Sequence, residues 1–366
     1  MADLPPRARI PLLALGFLAL LFGVATGLAR LGLVIDSTAA SLAGMHGPLM
    51  VACFFGVVIA LERAVATARL WAYAAPALSG LAAVALVAGV LDVAAMLATA
   101  GAAVLAFASL RFVAMERKLH TMVIAAGAVS LVAGNLAWLS SASPSAAVAA
   151  WATFLVLTIA GERLELTRFL PRSPKAQAAF VAIVVALAAG ALASADPRGA
   201  RIFGAALLAL AAWLAAFDLA RRTVRERGLT RFAAVCLLTG YVWLAVAGAT
   251  LLAFGLEPGS RAYDAALHAL FLGFTFSMVF GHALIIVPAV LRVKLAYSPW
   301  FYLPLALLHA SVALRLSGDA VASIDVLRAG AIANAVALGA FVVTLLSAAV
   351  RGRRTKPPSA RAAARG

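Results

Sequence analysis

Charge is what this chain has least of. Only 12% of its 366 residues are Asp, Glu, Lys or Arg, where a soluble domain carries about 25%. Acidic residues number fourteen, and all of them fall in termini, in loops or near the ends of apolar runs. Ion-coupled carriers often place a carboxylate near the membrane midplane, so this distribution argues against that class. Cysteine is nearly absent: Cys53 and Cys236 stand alone in apolar runs. With no CxxC, a disulfide framework is excluded, and metal ligation by either thiol is the less favoured reading. The two thiols read as packed side chains. No long polar interval interrupts the apolar runs, so no soluble domain is inserted.

What fills the chain instead is hydrocarbon. Hydrophobic residues make up 65% of it and the mean hydropathy is +1.04. A water-soluble fold has no use for so much apolar sequence. Twelve runs can be traced: Ile10–Leu31, Ser41–Leu61, Leu70–Leu91, Val93–Phe112, Thr121–Leu139, Ala146–Gly161, Ala176–Ala195, Ile202–Leu219, Phe232–Gly255, Tyr263–Leu291, Trp300–Leu316 and Val326–Val350. Each approaches the ~20 residues that cross a bilayer core as a helix. The break around Asp92 is the shortest. The first run lacks a small-residue cleavage site and reads as a retained helix. The expectation is an all-α polytopic membrane protein: one transmembrane domain over residues 1–350, then a basic, disordered cytoplasmic tail over 351–366.

A net charge of +16 suggests nucleic acid until the positions are sorted. Threading twelve spans puts 24 of the 30 Lys and Arg residues on one side. Arg30, Arg198, Arg201, Arg261, Arg315 and Arg328 fall on the other. The positive-inside rule then places both termini in the cytoplasm of a bacterial-type inner membrane. The lipid bilayer is the partner this charge serves, with no role for nucleic acid.

One internal echo is present. Phe54–Leu70 reads FFGVVIALERAVATARL and Phe154–Leu170 reads FLVLTIAGERLELTRFL. The offset is four spans, which suggests three arcs of four helices, with span ten equivalent to spans two and six. The pairs Glu62–Arg63 and Glu162–Arg163 read as interfacial ion pairs whose arginines snorkel to headgroups. A cytoplasmic gate is the other reading.

Five histidines remain. His120 follows Arg117 and Lys118 and reads as an interfacial residue. The other four lie inside spans, where an ionisable group is a functional hypothesis by default. His46 and His268 fall in the half away from the arginines. His282 and His309 fall near the centre or in the arginine-rich half. His268 and His282 are 14 residues apart, which at 100° per residue returns to about the same helix face some 21 Å along. One helix can thus offer imidazoles to two centres at two depths, as membrane cytochromes b do. Packed imidazoles bonded to neighbours are the plain alternative. Asp264, one turn before His268, can accept its N–H and fix the tautomer. Gly44 and Gly47 flank His46 and would clear space for a flat macrocycle, and Pro48 bends or starts the helix there. Met50 and Met278 read as core filling more readily than as thioether ligands. Phe271, Phe274, Phe276 and Phe280 could wall a porphyrin or face lipid. Asn135, Thr239 and Tyr241 could bridge helices or line a cavity.

The twelve spans and the segment ALHALFLGF, Ala266–Phe274, resemble the NnrS family of polytopic haem- and copper-containing proteins tied to nitric oxide. The chain departs from that family at LRVKLAYSPW, Leu291–Trp300, which lacks an Arg followed by Gly-His-Thr-Gly. A more distant likeness is to subunit I of haem–copper oxidases, with twelve helices in three arcs and a low-spin haem held by helices two and ten. His46 and His268 match those two ligands by helix number and depth. No histidine lies in spans six and seven, so the copper ligands of that family are missing. The resemblance implies a haem b at His46 and His268, supported by Asp264. It implies a second haem or a copper ion at His282 and His309. An electron donor or a small gas such as nitric oxide would be the partner. The competing expectations are a transporter or channel without redox cofactor, and a subunit or assembly factor of a respiratory complex.

Overall fold

The computed structural model describes residues 3–33, 36–167 and 173–354. Among these residues there are helices and no strands. Twelve helices are long and apolar enough to cross a membrane: α1 (Pro6–Ala29), α2 (Ala43–Thr67), α3 (Leu70–Val87), α4 (Leu91–Met115), α5 (Leu119–Ser141), α6 (Pro144–Leu166), α7 (Pro174–Leu192), α8 (Pro197–Phe217), α9 (Gly228–Phe254), α10 (Arg261–Leu291), α11 (Pro299–Ala320) and α12 (Ile324–Arg353). Each expected run has its helix. The protein is a multi-pass membrane protein of all-α class.

The helix ends follow local chemistry. The break before Asp92 is made by Gly89 at φ +78°, and Asp92 then sits in the first turn of α4, where a carboxylate meets the positive end of the helix dipole. Asp36, Ser173, Asp196 and Ser260 each accept backbone N–H groups at a helix start. The helix expected to end at Val350 continues through Arg354. The start of the proposed disordered tail is therefore helical, and residues 355–366 lie outside the described part, as do Arg168 and Arg172.

Small residues bring helices into backbone contact. A Cβ on Gly248 of α9 would lie 2.5 Å from the backbone nitrogen of Leu208 on α8. Gly204 of α8 packs reciprocally against Gly248 and Leu252. Asn135 on α5 donates to the Ala98 carbonyl on α4 at 2.9 Å and accepts from Trp151 Nε1 on α6 at 2.8 Å. It bridges three helices. Thr239 bonds only within its own helix.

The three most enclosed helices are α2, α6 and α10, with 67%, 78% and 56% of their apolar windows buried, against 22–50% elsewhere. They are four helices apart, which is the period of the sequence echo. The sequence placed α10 in the third arc without a Glu-Arg pair to mark it; burial puts it in the equivalent place.

The Glu-Arg pairs differ from expectation. Arg163 is buried and does not snorkel. Its guanidinium donates to both carboxylate oxygens of Asp218, at 2.8 and 3.1 Å, and Tyr241 Oη donates to the same carboxylate at 2.9 Å. A charge this deep needs a partner of opposite sign, and Asp218 supplies it across the 55 residues that separate them in sequence. Arg63 lies over the Phe112 ring. Glu62 and Glu162 turn instead to line an internal cavity. His120 is buried at the start of α5.

Candidate functional site

The residues that bring chemistry to α2 and α10 lie where both helices change character. His46 starts a short α-turn that passes at Leu49 into a π-helical segment, Leu49–Phe55. His268 is followed at once by a second π segment, Ala269–Phe276. π-helical turns are rare and cluster at functional sites. The 100° ruler therefore does not hold between His268 and His282. Both histidines nevertheless meet residues of α2: His268 lies against His46, and His282 shares a cavity with Glu62.

The His46 and His268 rings are 6.4 Å apart, centre to centre, with planes 16° from parallel. The outer pairing expected from the sequence is thus a spatial neighbourhood. Nδ1 of His46 lies 2.7 Å from the Gly23 carbonyl of α1. Nδ1 of His268 lies 2.8 Å from the Asp264 carbonyl. A carbonyl can only accept, so each Nδ1 carries the proton, and in the uncharged ring Nε2 keeps its lone pair. Neither Nε2 has a hydrogen-bond partner among the described residues, and neither is sealed in the core.

Asp264 acts more broadly than expected. Its carboxylate oxygen is 3.3 Å from His268 Nδ1, and the same carboxylate takes a two-pronged bond from Arg315 on α11, at 3.0 and 3.1 Å. Arg315 is buried, although the sequence assigned it to a helix end. The glycine that makes room for His46 is also unexpected. A Cβ on Gly27 would sit 2.8 Å from the His46 ring. Gly44 faces open space, and Gly47 meets Trp151 at ordinary contact distance. Close approach is therefore the work of α1 rather than of the glycines adjacent in sequence. Met50 packs against Gly23, and Met278 against Gly240, which is the core-filling role. Phe274 and Phe280 are fully buried, and Phe276 stacks parallel to Phe54 with centres 5.9 Å apart.

The inner histidines are separated in their surroundings. His282 Nδ1 lies 2.9 Å from the Met278 carbonyl, so its Nε2 is also the lone-pair nitrogen. It lines a cavity of about 1040 Å³ with Glu62 and Glu162. His309 instead accepts from Trp243 Nε1 at 2.9 Å through Nδ1. Its proton is then on Nε2, which is buried without a partner. That tautomer offers a metal no free lone pair. His309 is thus corrected from metal ligand to a packed, stacked partner of Trp243, and among the described residues no hydrogen bond or ring stacking joins it to His282. Among the described residues no three or more His, Cys, Asp or Glu are grouped closely enough to hold a metal ion.

Fold and site together define a class: a twelve-helix membrane protein with a two-histidine centre between α2 and α10 and an acid-lined cavity among α1, α2, α6, α10 and α12. The chain belongs to the DUF8744 family, described as a domain of unknown function, which matches residues 9–350. No curated protein and no solved structure matches it significantly.

Proposed function

We propose that the chain is a haem b protein of a bacterial-type inner membrane, similar in role to NnrS proteins, with His46 and His268 as the residues that would hold the haem. The observation that carries this is the pair itself: two imidazoles from separate helices, each fixed in the tautomer whose Nε2 lone pair is free. The chemistry of the donors fits, since neutral imidazole nitrogens are common ligands of haem iron. The rings here are 6.4 Å apart. Gly27 clears one ring, and Asp264 with Arg315 orients the other, as the outer contacts of metal-binding histidines commonly do. Bis-imidazole ligation occupies both axial positions of a haem and suits it to electron transfer. Copper at the same nitrogens is the alternative metal. Nitric oxide would need a centre with an open position, and His282 is the other histidine with a ligand-ready nitrogen. The excess of arginine at one end of the bundle supports cytoplasmic termini.

The acid-lined cavity favours a second reading, a transporter or channel without redox cofactor. Haem and metal content per chain separate the two. One haem b per chain is expected from cells supplied with haem, and a colourless, metal-free protein contradicts the first reading.

A further inference from the structure

The cavity has a chemical bias that the histidine pair does not explain. Its walls are apolar and aromatic, with side chains such as Phe54, Phe276 and Phe341. Its polar lining within the helices includes Glu62, Glu162 and His282. Neither carboxylate has an ion-pair or hydrogen-bond partner among the described residues, and neither is sealed from the cavity. His282 Nε2 is an acceptor, because its Nδ1 proton is held by the Met278 carbonyl. Thr275 also lines the cavity, but its hydroxyl proton is given to the Leu270 carbonyl on its own helix. The two glutamates occupy equivalent places in the internal repeat. Three acceptors therefore line one largely apolar cavity, where a ligand that donates hydrogen bonds finds partners.

We propose that this chamber binds an uncharged, lipid-soluble ring carrying hydroxyl donors, of the hydroquinone or alkylphenol class. Each hydroxyl donates to one acceptor among Glu62, Glu162 and His282, and the ring and its chain lie along the phenylalanines. The volume suits a ligand of that size, since small-molecule pockets span about 300–1,000 Å³. Arg7, Arg292 and Arg353 also line the chamber, and their positive charge opposes a cationic ligand. Among the described residues these acceptors are not grouped as a metal site, which suits an organic molecule better than an ion. The inference does not depend on haem at His46 and His268.

The test is equilibrium binding to the full-length protein in lipid nanodiscs, without oxygen. The probes are decyl hydroquinone, its dimethyl ether and decylammonium. Hydrogen bonds from its hydroxyls predict that the hydroquinone binds saturably and at least roughly tenfold more tightly than the ether, which has no hydroxyl to donate. The paired substitution Glu62→Leu and Glu162→Leu should reduce that preference severalfold, with His282 the remaining acceptor, and leave the ether unaffected. The comparison of probes on the unaltered protein stands if this variant does not fold. Equal affinity for hydroquinone and ether, no saturable binding of either, or tighter binding of decylammonium would each overturn the proposal. An absorption spectrum of the same sample reports on the haem separately.

Discussion

The imidazoles of His46 and His268 lie 6.4 Å apart and nearly parallel, although 222 residues separate them in sequence. Each is held by a backbone carbonyl that fixes its proton on Nδ1. In the uncharged state each ring therefore keeps a lone pair on Nε2. The consequences can be measured one residue at a time.

Gly27 leaves no room for a side chain beside His46. Gly27→Leu should displace that ring and abolish or shift the haem spectrum, while size-exclusion chromatography still shows folded protein. An unchanged spectrum in the folded variant would mean that His46 is not a ligand.

Asp264 and Arg315 bear opposite charges beside His268. Reduction of a haem adds an electron, so a nearby negative charge lowers the midpoint potential and a positive charge raises it. Asp264→Asn should therefore raise the potential, and Arg315→Gln should lower it. Each shift is expected on the order of 60 mV, a tenfold change for one electron. Redox titration checks the signs, and shifts in the same direction would contradict this placement of the charges.

Much of this was legible in the sequence, and the failures have a common cause. Twelve helices could be traced because each is an uninterrupted apolar run of membrane length. The His46–His268 pairing followed from helix number and depth. What could not be read were the side chains that act across helices. Asp218 looked like one more acid near the end of an apolar run, because nothing in a sequence shows that Arg163, 55 residues away, turns inward to meet it. Gly27 and Arg315 were missed for the same reason. The His309 tautomer depends on a bond from Trp243 on another helix, so no local pattern distinguishes it from the ligand-ready histidines. The acidic gate reading of Glu62 and Glu162 had no local signal beyond the repeat.

The Arg163–Asp218 pair is enclosed, with side-chain exposures of 8% and 0%. Asp218→Leu alone would leave a buried guanidinium unpaired, at a cost of about 3–5 kcal/mol. Changing both residues, Arg163→Met with Asp218→Leu, should recover most of that loss, since well-packed apolar replacements of buried ion pairs are often tolerated. Thermal unfolding in detergent reads both variants. A double variant less stable than the single one would argue that the charges are needed as charges.

Gly248 has the backbone of α8 against it. Gly248→Val would force α8 and α9 apart, and overpacking of this kind costs about 1–3 kcal/mol or more. The expected outcome is a lower melting temperature, with the haem spectrum retained in the protein that does fold. A melting temperature equal to that of the unaltered chain would show that the two helices do not pack this closely.

The most direct measurement is the dithionite-reduced minus oxidised absorption spectrum of the purified protein, set beside that of His268→Ala. The account predicts a Soret band that shifts on reduction, sharp bands of a six-coordinate b-type haem in the unaltered chain, and loss or marked change of those bands in the variant. A b-type spectrum unaffected by His268→Ala, or no chromophore in protein made with ample haem, would contradict it.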